Sequence, residues 1–238
     1  MDDALTDLTY HPRPSADRPL LGLTVLAVED SVFSSEALRL MCQRSGARLR
    51  RADCIASAKR HLNVYRPTVA IVDLGLPDGS GLDLIGLMAT ITPRVPIIIG
   101  TSGSEREAAA QQARAAGADG FLPKPLDSLA AFQAELLRHL PPEFHPSVPR
   151  EVETNAVQPD ALALREDLTH AMHLLALERP PIGYLRRFLI GLARSVDDDA
   201  LEGQALAMGS QGIGTHASDQ AKLRALISQR LQAMPMAI

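Results

Sequence analysis

Three carboxylates, a hydroxyl and an ammonium are spread through the first half of the chain, each at the end of a short apolar run. Glu29-Asp30 follows Leu23–Val28, Asp73 follows Val69–Val72, Thr101 follows Val95–Gly100, and Lys124-Pro125 follows Phe121–Pro123. Brought together, Glu29, Asp30 and Asp73 would repel one another and push one of the three toward protonation. A hard cation relieves that repulsion. Magnesium favours oxygen donors, retains some waters and sits between carboxylates and a phosphate. Glu29, Asp30 and Asp73 therefore read as metal ligands, with Gly75 able to offer its backbone carbonyl. A carboxylate can form an acyl phosphate, which makes Asp73 the natural nucleophile. A transferring phosphoryl group spreads negative charge over its oxygens, so its chemistry asks mainly for positioning and neutralisation. Lys124 supplies a positive charge and Thr101 a hydroxyl donor, while Pro77 and Gly81 shape the loop after Asp73.

Convergence of these groups requires a particular scaffold. Short apolar runs separated by helical patterns read as buried parallel strands, and ligands of an open parallel sheet gather at the carboxyl ends of its strands. The helical stretches fall at 32–45, 55–64, 82–91, 104–116 and 128–140. Gly46, Gly117 and Gly120 stand where helices hand over to loops or strands, and Asp127 is placed to cap the last helix. Five strands interleaved with five helices predict a doubly wound parallel sheet over residues 20–140.

Residues 1–19, polar and carrying Pro12, Pro14 and Pro19, read as a loose tail. Residues 141–159 hold five prolines and read as a semi-stiff linker. Residues 160–238 read as helix only. Leu164, Leu168, Ala171 and Leu175 form one apolar stripe, and Ile182, Leu185, Leu189, Leu192 and Val196 a second. Asp197 or Asp198 caps a third helix bearing Leu201, Ala205 and Met208. Gly209, Gly212 and Gly214 then break the chain before a fourth with Leu223, Leu226, Ile227 and Leu231.

Of the 238 residues, 46% are hydrophobic and 3% aromatic, with no Trp, so aliphatic side chains must fill the core. The net charge of −4 gives no electrostatic reason to expect a nucleic-acid binder. Cys42 and Cys54 make no disulfide framework, and Cys42 lies on an apolar stripe with Leu38 and Met41, as a buried thiol would. No secretory signal or membrane-spanning run is visible, so a reducing cytoplasm is the expected home.

The ordered set Glu29-Asp30, Asp73 with Pro77 and Gly81, Thr101, Phe121 and Lys124-Pro125 resembles the receiver domain of two-component response regulators. The resemblance covers about residues 20–140. It implies a flavodoxin-like fold with strand order 2-1-3-4-5 and phosphorylation of Asp73 by a sensor histidine kinase or a histidine phosphotransfer protein, with Mg2+. It further implies a cis Lys124–Pro125 bond and a two-state switch in which Thr101 moves inward and Phe121 turns into the vacated space. Gly75 and Gly103 correspond to positions flanking the phosphoryl group, where small residues leave room for water. No enzymatic activity is expected beyond self-catalysed phosphorylation and dephosphorylation of the aspartate.

For residues 160–238 the sequence is less specific. His170 and His173 lack the context of a phosphotransfer histidine and read as ordinary helix residues; with His216 they make only a weak metal set. The glycines at 209–214 follow a helix, not a strand, so a phosphate loop is not expected. Eight basic residues face nine acidic ones, and Arg186-Arg187 read as a solvated helix face, so DNA binding is not expected. The expected role is a phosphorylation-switched contact with a downstream protein or a second copy. The alternatives are a divergent DNA-binding output and a phosphate sink or relay intermediate.

Overall fold

The computed structural model describes residues 13–146, 157, 159–208 and 216–234. Five parallel strands, β1 (Thr24–Val28), β2 (Arg48–Ala52), β3 (Val69–Asp73), β4 (Ile97–Ser102) and β5 (Gly120–Pro123), form one sheet in the order β2-β1-β3-β4-β5. Between and after them run α1 (Val32–Ser45), α2 (Ile55–Val64), α3 (Gly81–Thr90), α4 (Arg106–Ala116) and α5 (Leu129–Arg138). This is the flavodoxin-like order the motif implied.

Side chains alternate across a strand, and here both faces are covered. Val25, Ala27, Val69, Ile71, Ile97 and Ile99 pack with Leu38, Met41, Phe132 and Leu136 of α1 and α5. Leu26, Val28, Ala70, Val72 and Ile98 pack with Ala58, Leu84, Ile85, Met88, Ala109 and Ala113 on the opposite side. Cys42 is buried in the first of these layers, and burial pushes its thiol up to about 12. Double coverage explains why four strands are continuous apolar runs. The exception is β2, Arg-Leu-Arg-Arg-Ala, which lies at the sheet edge with Arg48, Arg50 and Arg51 exposed.

Helix ends follow local chemistry. The Ser31 and Ser80 hydroxyls accept from Ser34 N and Leu82 N, and Gly46 and Gly117 close α1 and α4 in the left-handed conformation. Three expectations need correction. Ser128, not Asp127, caps α5, its hydroxyl accepting from Ala131 N at 3.1 Å. Helix α4 starts at Arg106 because the Glu105 carboxylate caps it. Strand β4 runs on through Ser102, so Thr101 lies inside the ladder beside Asp73.

Within the span read as a tail, residues 15–18 close a turn and Leu20 N donates to Ser45 O at 2.9 Å; residues 1–12 lie outside the described residues. Within the proline-rich span, Pro142–Phe144 form a 3-10 turn and Val157 is buried against the α1/α5 layer; 147–156 and 158 lie outside the described residues.

The remainder is helical: α6 (Ala161–Leu175), α7 (Ile182–Ser195), α8 (Asp199–Ala207) and α9 (His216–Ala233). The apolar stripes meet in one cluster containing Leu168, Leu175, Leu185, Leu189, Leu192, Leu201, Leu223 and Ile227. Asp198 caps α8 and is held from α9 by Arg230 at 2.7 and 3.0 Å. The Gly209–Gly214 break lies outside the described residues. Phe33 of α1 packs into this cluster, so the helical unit sits against the rim of the sheet. Among the described residues no helix is long and apolar enough to cross a membrane.

Candidate phosphorylation site

The sheet brings the five polar residues to one edge. Glu29 and Asp30 follow β1, Asp73 ends β3, Thr101 is near the end of β4 and Lys124 follows β5. Ligand oxygens of Glu29, Asp30 and Asp73 all lie within 4.8 Å of one another. The Lys124 side chain is 6% exposed; its ammonium donates to Asp73 Oδ2 and to Glu29 Oε1, the latter at 2.9 Å. The other Asp73 oxygen accepts from Gly75 N at 2.9 Å.

The loop after Asp73 is tightly specified. A β-carbon on Gly81 would stand 1.9 Å from the Asp73 carbonyl oxygen, so only glycine allows the chain to return this close. Short strands Gly75–Leu76 and Gly79–Ser80 pair antiparallel across the loop. Asp78 accepts from Ile55 N and Ala56 N at 2.8 and 2.9 Å, tying the loop to the start of α2. Lys124–Pro125 is cis, as the resemblance implied, and so is Thr92–Pro93, which sequence reading did not foresee. Phe121 is buried among the α4 alanines, and the buried Thr101 hydroxyl has no hydrogen-bond partner among the described residues.

Three carboxylates against one ammonium leave an excess of negative charge in a buried site. Desolvation raises Glu29 well above the ordinary carboxylate range, and only Lys124 opposes it strongly. Desolvation and then Asp73 raise Asp30 to about 6. Burial alone would lower the Lys124 ammonium, but Asp73 and Glu29 outweigh it and hold the charge in place. An all-oxygen donor set with uncompensated charge and an unpartnered buried hydroxyl beside it fits a hard divalent cation with a phosphoryl group. Glu29, Asp30 and Asp73 would hold that cation.

One prediction follows from Asp30. Its folded-state pKa is raised, so in the cation-free chain the folded form binds the proton more tightly than the unfolded one. Stability from this group is present below the usual carboxylate range and is lost as pH rises through about 6. Chelator-treated protein is expected to gain about 2 kcal/mol from Asp30 between about pH 7 and about pH 4. Mg2+ affinity should fall over the same interval. Thermal melts compared between wild type and Asp30→Asn, with and without Mg2+, check both signs.

Sequence reading missed the helices that close over this edge. Tyr184 of α7 donates its hydroxyl to Asp30 Oδ2. Asp167 of α6, 1% exposed, accepts from Ser31 Oγ at 2.7 Å, Val32 N at 2.8 Å and Phe33 N at 3.0 Å. Arg194 donates to the Gly103 carbonyl, and a β-carbon on Gly103 would stand 2.8 Å from Gly191 Cα. The expectation that Gly103 leaves room for water is therefore corrected: that room is taken by helix α7. A cavity of about 690 Å3 remains between the two units, lined by Glu29, Asp30, Arg51, Asp53, His170 and Tyr184 among others. His170 thus faces the acidic edge, with its ring against Phe188, and His173 is exposed elsewhere on α6. The close backbone approach at Gly103 yields a direct expectation. Gly103→Val should displace α7 and speed amide hydrogen exchange of residues 184–194 about tenfold, as read by mass spectrometry.

A sheet of this order carrying this acidic edge defines a receiver domain. Residues 25–134 match the family described as the response regulator receiver domain, and the α/β part of the chain is such a domain. The virulence transcriptional regulatory protein PhoP of Shigella flexneri is 32% identical over 120 residues, which cover 49% of this chain and 53% of PhoP. The chain thus spans about half the length of the curated relatives it matches. Among solved structures, a putative response regulator from Chloroflexus aurantiacus is 26% identical (TM-score 0.42), covering 43% of this chain and 85% of that one. Chemotaxis response regulator CheY4 of Vibrio cholerae is 24% identical (TM-score 0.45), covering 50% and 98%.

Proposed function

We propose that the chain is a cytoplasmic response regulator that accepts a phosphoryl group on Asp73 and uses it to change a protein–protein contact of its helical C-terminal unit. The observation that carries this reading is the Asp73 carboxylate, fixed between the Lys124 ammonium and Gly75 N within a cluster of oxygen donors. An Asp73 oxygen attacks phosphorus of a phosphohistidine donor. The phosphorus–nitrogen bond breaks, the imidazole departs with the bonding pair and takes a proton from solvent, and an acyl phosphate forms. Mg2+, when bound, would neutralise phosphoryl oxygens. Lys124 holds one side of the acceptor, and the unpartnered Thr101 hydroxyl is the donor available for a phosphoryl oxygen.

The partners expected are a sensor histidine kinase or a histidine phosphotransfer protein upstream, and a protein or a second copy downstream. Enzymatic turnover beyond self-catalysed phosphorylation and dephosphorylation is not expected. The name of the PhoP relatives keeps a transcriptional role as the second reading, but the likeness lies in the receiver half. Incubation with acetyl phosphate and Mg2+, followed by intact-mass analysis and sizing, tests the proposal. Gain of one phosphoryl mass with altered association supports it. No gain, or a gain that changes neither association nor domain contacts, refutes it.

A further inference from the structure

Helix α7 presents two faces. Leu185, Leu189 and Leu192 point into the helical cluster. Tyr184, Arg187, Gly191 and Arg194, spaced three, four and three residues apart, share the roughly opposite face. That second face meets three of the loops around the phosphoacceptor. Tyr184 is on Asp30 in the loop after β1, Arg187 is beside Gly75 in the loop after β3, and Gly191 and Arg194 are on Gly103 after β4. Of these residues only Arg187 has no assigned work. Its side chain is exposed, and among the described residues it has no hydrogen bond or ion pair. A β-carbon built on Gly75 would stand 3.5 Å from Arg187 Nε and 3.7 Å from Asp73 Oδ1. The guanidinium and the acceptor carboxylate therefore border the same methyl-sized space, kept open because residue 75 is glycine.

We infer that Arg187 is a phosphoryl-binding residue, supplied to the receiver by the C-terminal helical unit and recruited when Asp73 becomes an acyl phosphate. This rests on the proposed phosphorylation of Asp73 and adds to it the route by which the second unit senses the event. An unmodified carboxylate is already satisfied by Lys124 and Gly75. A phosphoryl group adds oxygens and charge that those two do not satisfy, and a guanidinium is suited to bind them through paired N–H donors. Asp167, Tyr184 and Arg194 hold α6 and α7 in place, so the recruitment needs a side-chain motion and no domain rearrangement. Phosphorylation then tightens α7 against the site.

The test uses the full chain, with beryllium fluoride plus Mg2+ as the phosphoryl mimic and acetyl phosphate as the donor. Wild type is expected to bind the mimic and to slow amide exchange across residues 184–194. Arg187→Gln should bind the mimic about tenfold more weakly, a charge-assisted hydrogen bond's worth, and lose the added protection of α7 while binding Mg2+ alone as wild type does. Arg186→Gln, one residue along and off this face, should change neither. Equal binding of the mimic by Arg187→Gln overturns the inference. So does loss of Mg2+ binding in that variant, which would mark a structural role. If wild type takes up neither mimic nor phosphoryl group, the phosphoacceptor reading falls and this inference with it. If wild type takes up both and Arg187→Gln matches it, only the inference falls.

Discussion

Asp73→Asn is expected to abolish phosphoryl uptake from acetyl phosphate and Mg2+ while leaving the fold intact. The amide keeps the size of the carboxylate and can still accept from Gly75 N, but it is no longer an oxygen nucleophile. Among the described residues no other carboxylate is held by both Lys124 and the loop that follows β3. The loss should be complete within detection by intact mass. Removing one of three clustered negative charges also relieves the repulsion that helps raise Asp30, so the melting temperature should hold or rise. A variant that still gains a stable phosphoryl mass would place the acceptor elsewhere.

Asp167→Ala is expected to destabilise the full chain by about 2 kcal/mol and to free α6 and α7 from the receiver. The first turn of a helix leaves backbone N–H groups without partners. For α1, Asp167 satisfies two of these from a distant part of the sequence and takes the Ser31 hydroxyl as well. Its carboxyl is itself raised by burial, so part of the gain is offset by desolvation. The adjoining cavity admits water after truncation, which keeps the loss near the lower end of the range for buried charged acceptors. Denaturant unfolding should show the loss, and limited proteolysis should cut the helical unit faster. Phosphoryl uptake should persist, because Asp167 touches neither Asp73 nor Lys124 in the structure. Unchanged stability would show that the two units are not joined through this carboxylate.

The part of the site contributed by strand ends was legible because fully buried parallel strands leave uninterrupted apolar runs. The polar residue that ends each run can then be located to within a residue or two. Strand β2 left no such mark, because three of its five residues are exposed arginines. Nor could the seam between the units be read. Ser31 and Asp167, or Asp30 and Tyr184, are coupled only through the tertiary fold, and no local periodicity links them. One signal was present and overlooked. Tyr184, Arg187, Gly191 and Arg194 form a second stripe on a helix whose first stripe was already apolar, and a helix with two patterned faces is packed on both. Gly103 was read as leaving room for water, and sequence alone does not show that helix α7 fills that space.

The edge strand bears on how copies of the molecule can associate. Continuing the sheet from one molecule into another across β2 would bring Arg48, Arg50 and Arg51 close to the same residues of a two-fold-related chain, and like charges placed side by side disfavour such ladders. Growth by strand addition is opposed electrostatically at this border, which leaves the β5 edge and the helical surfaces as the places where copies can meet.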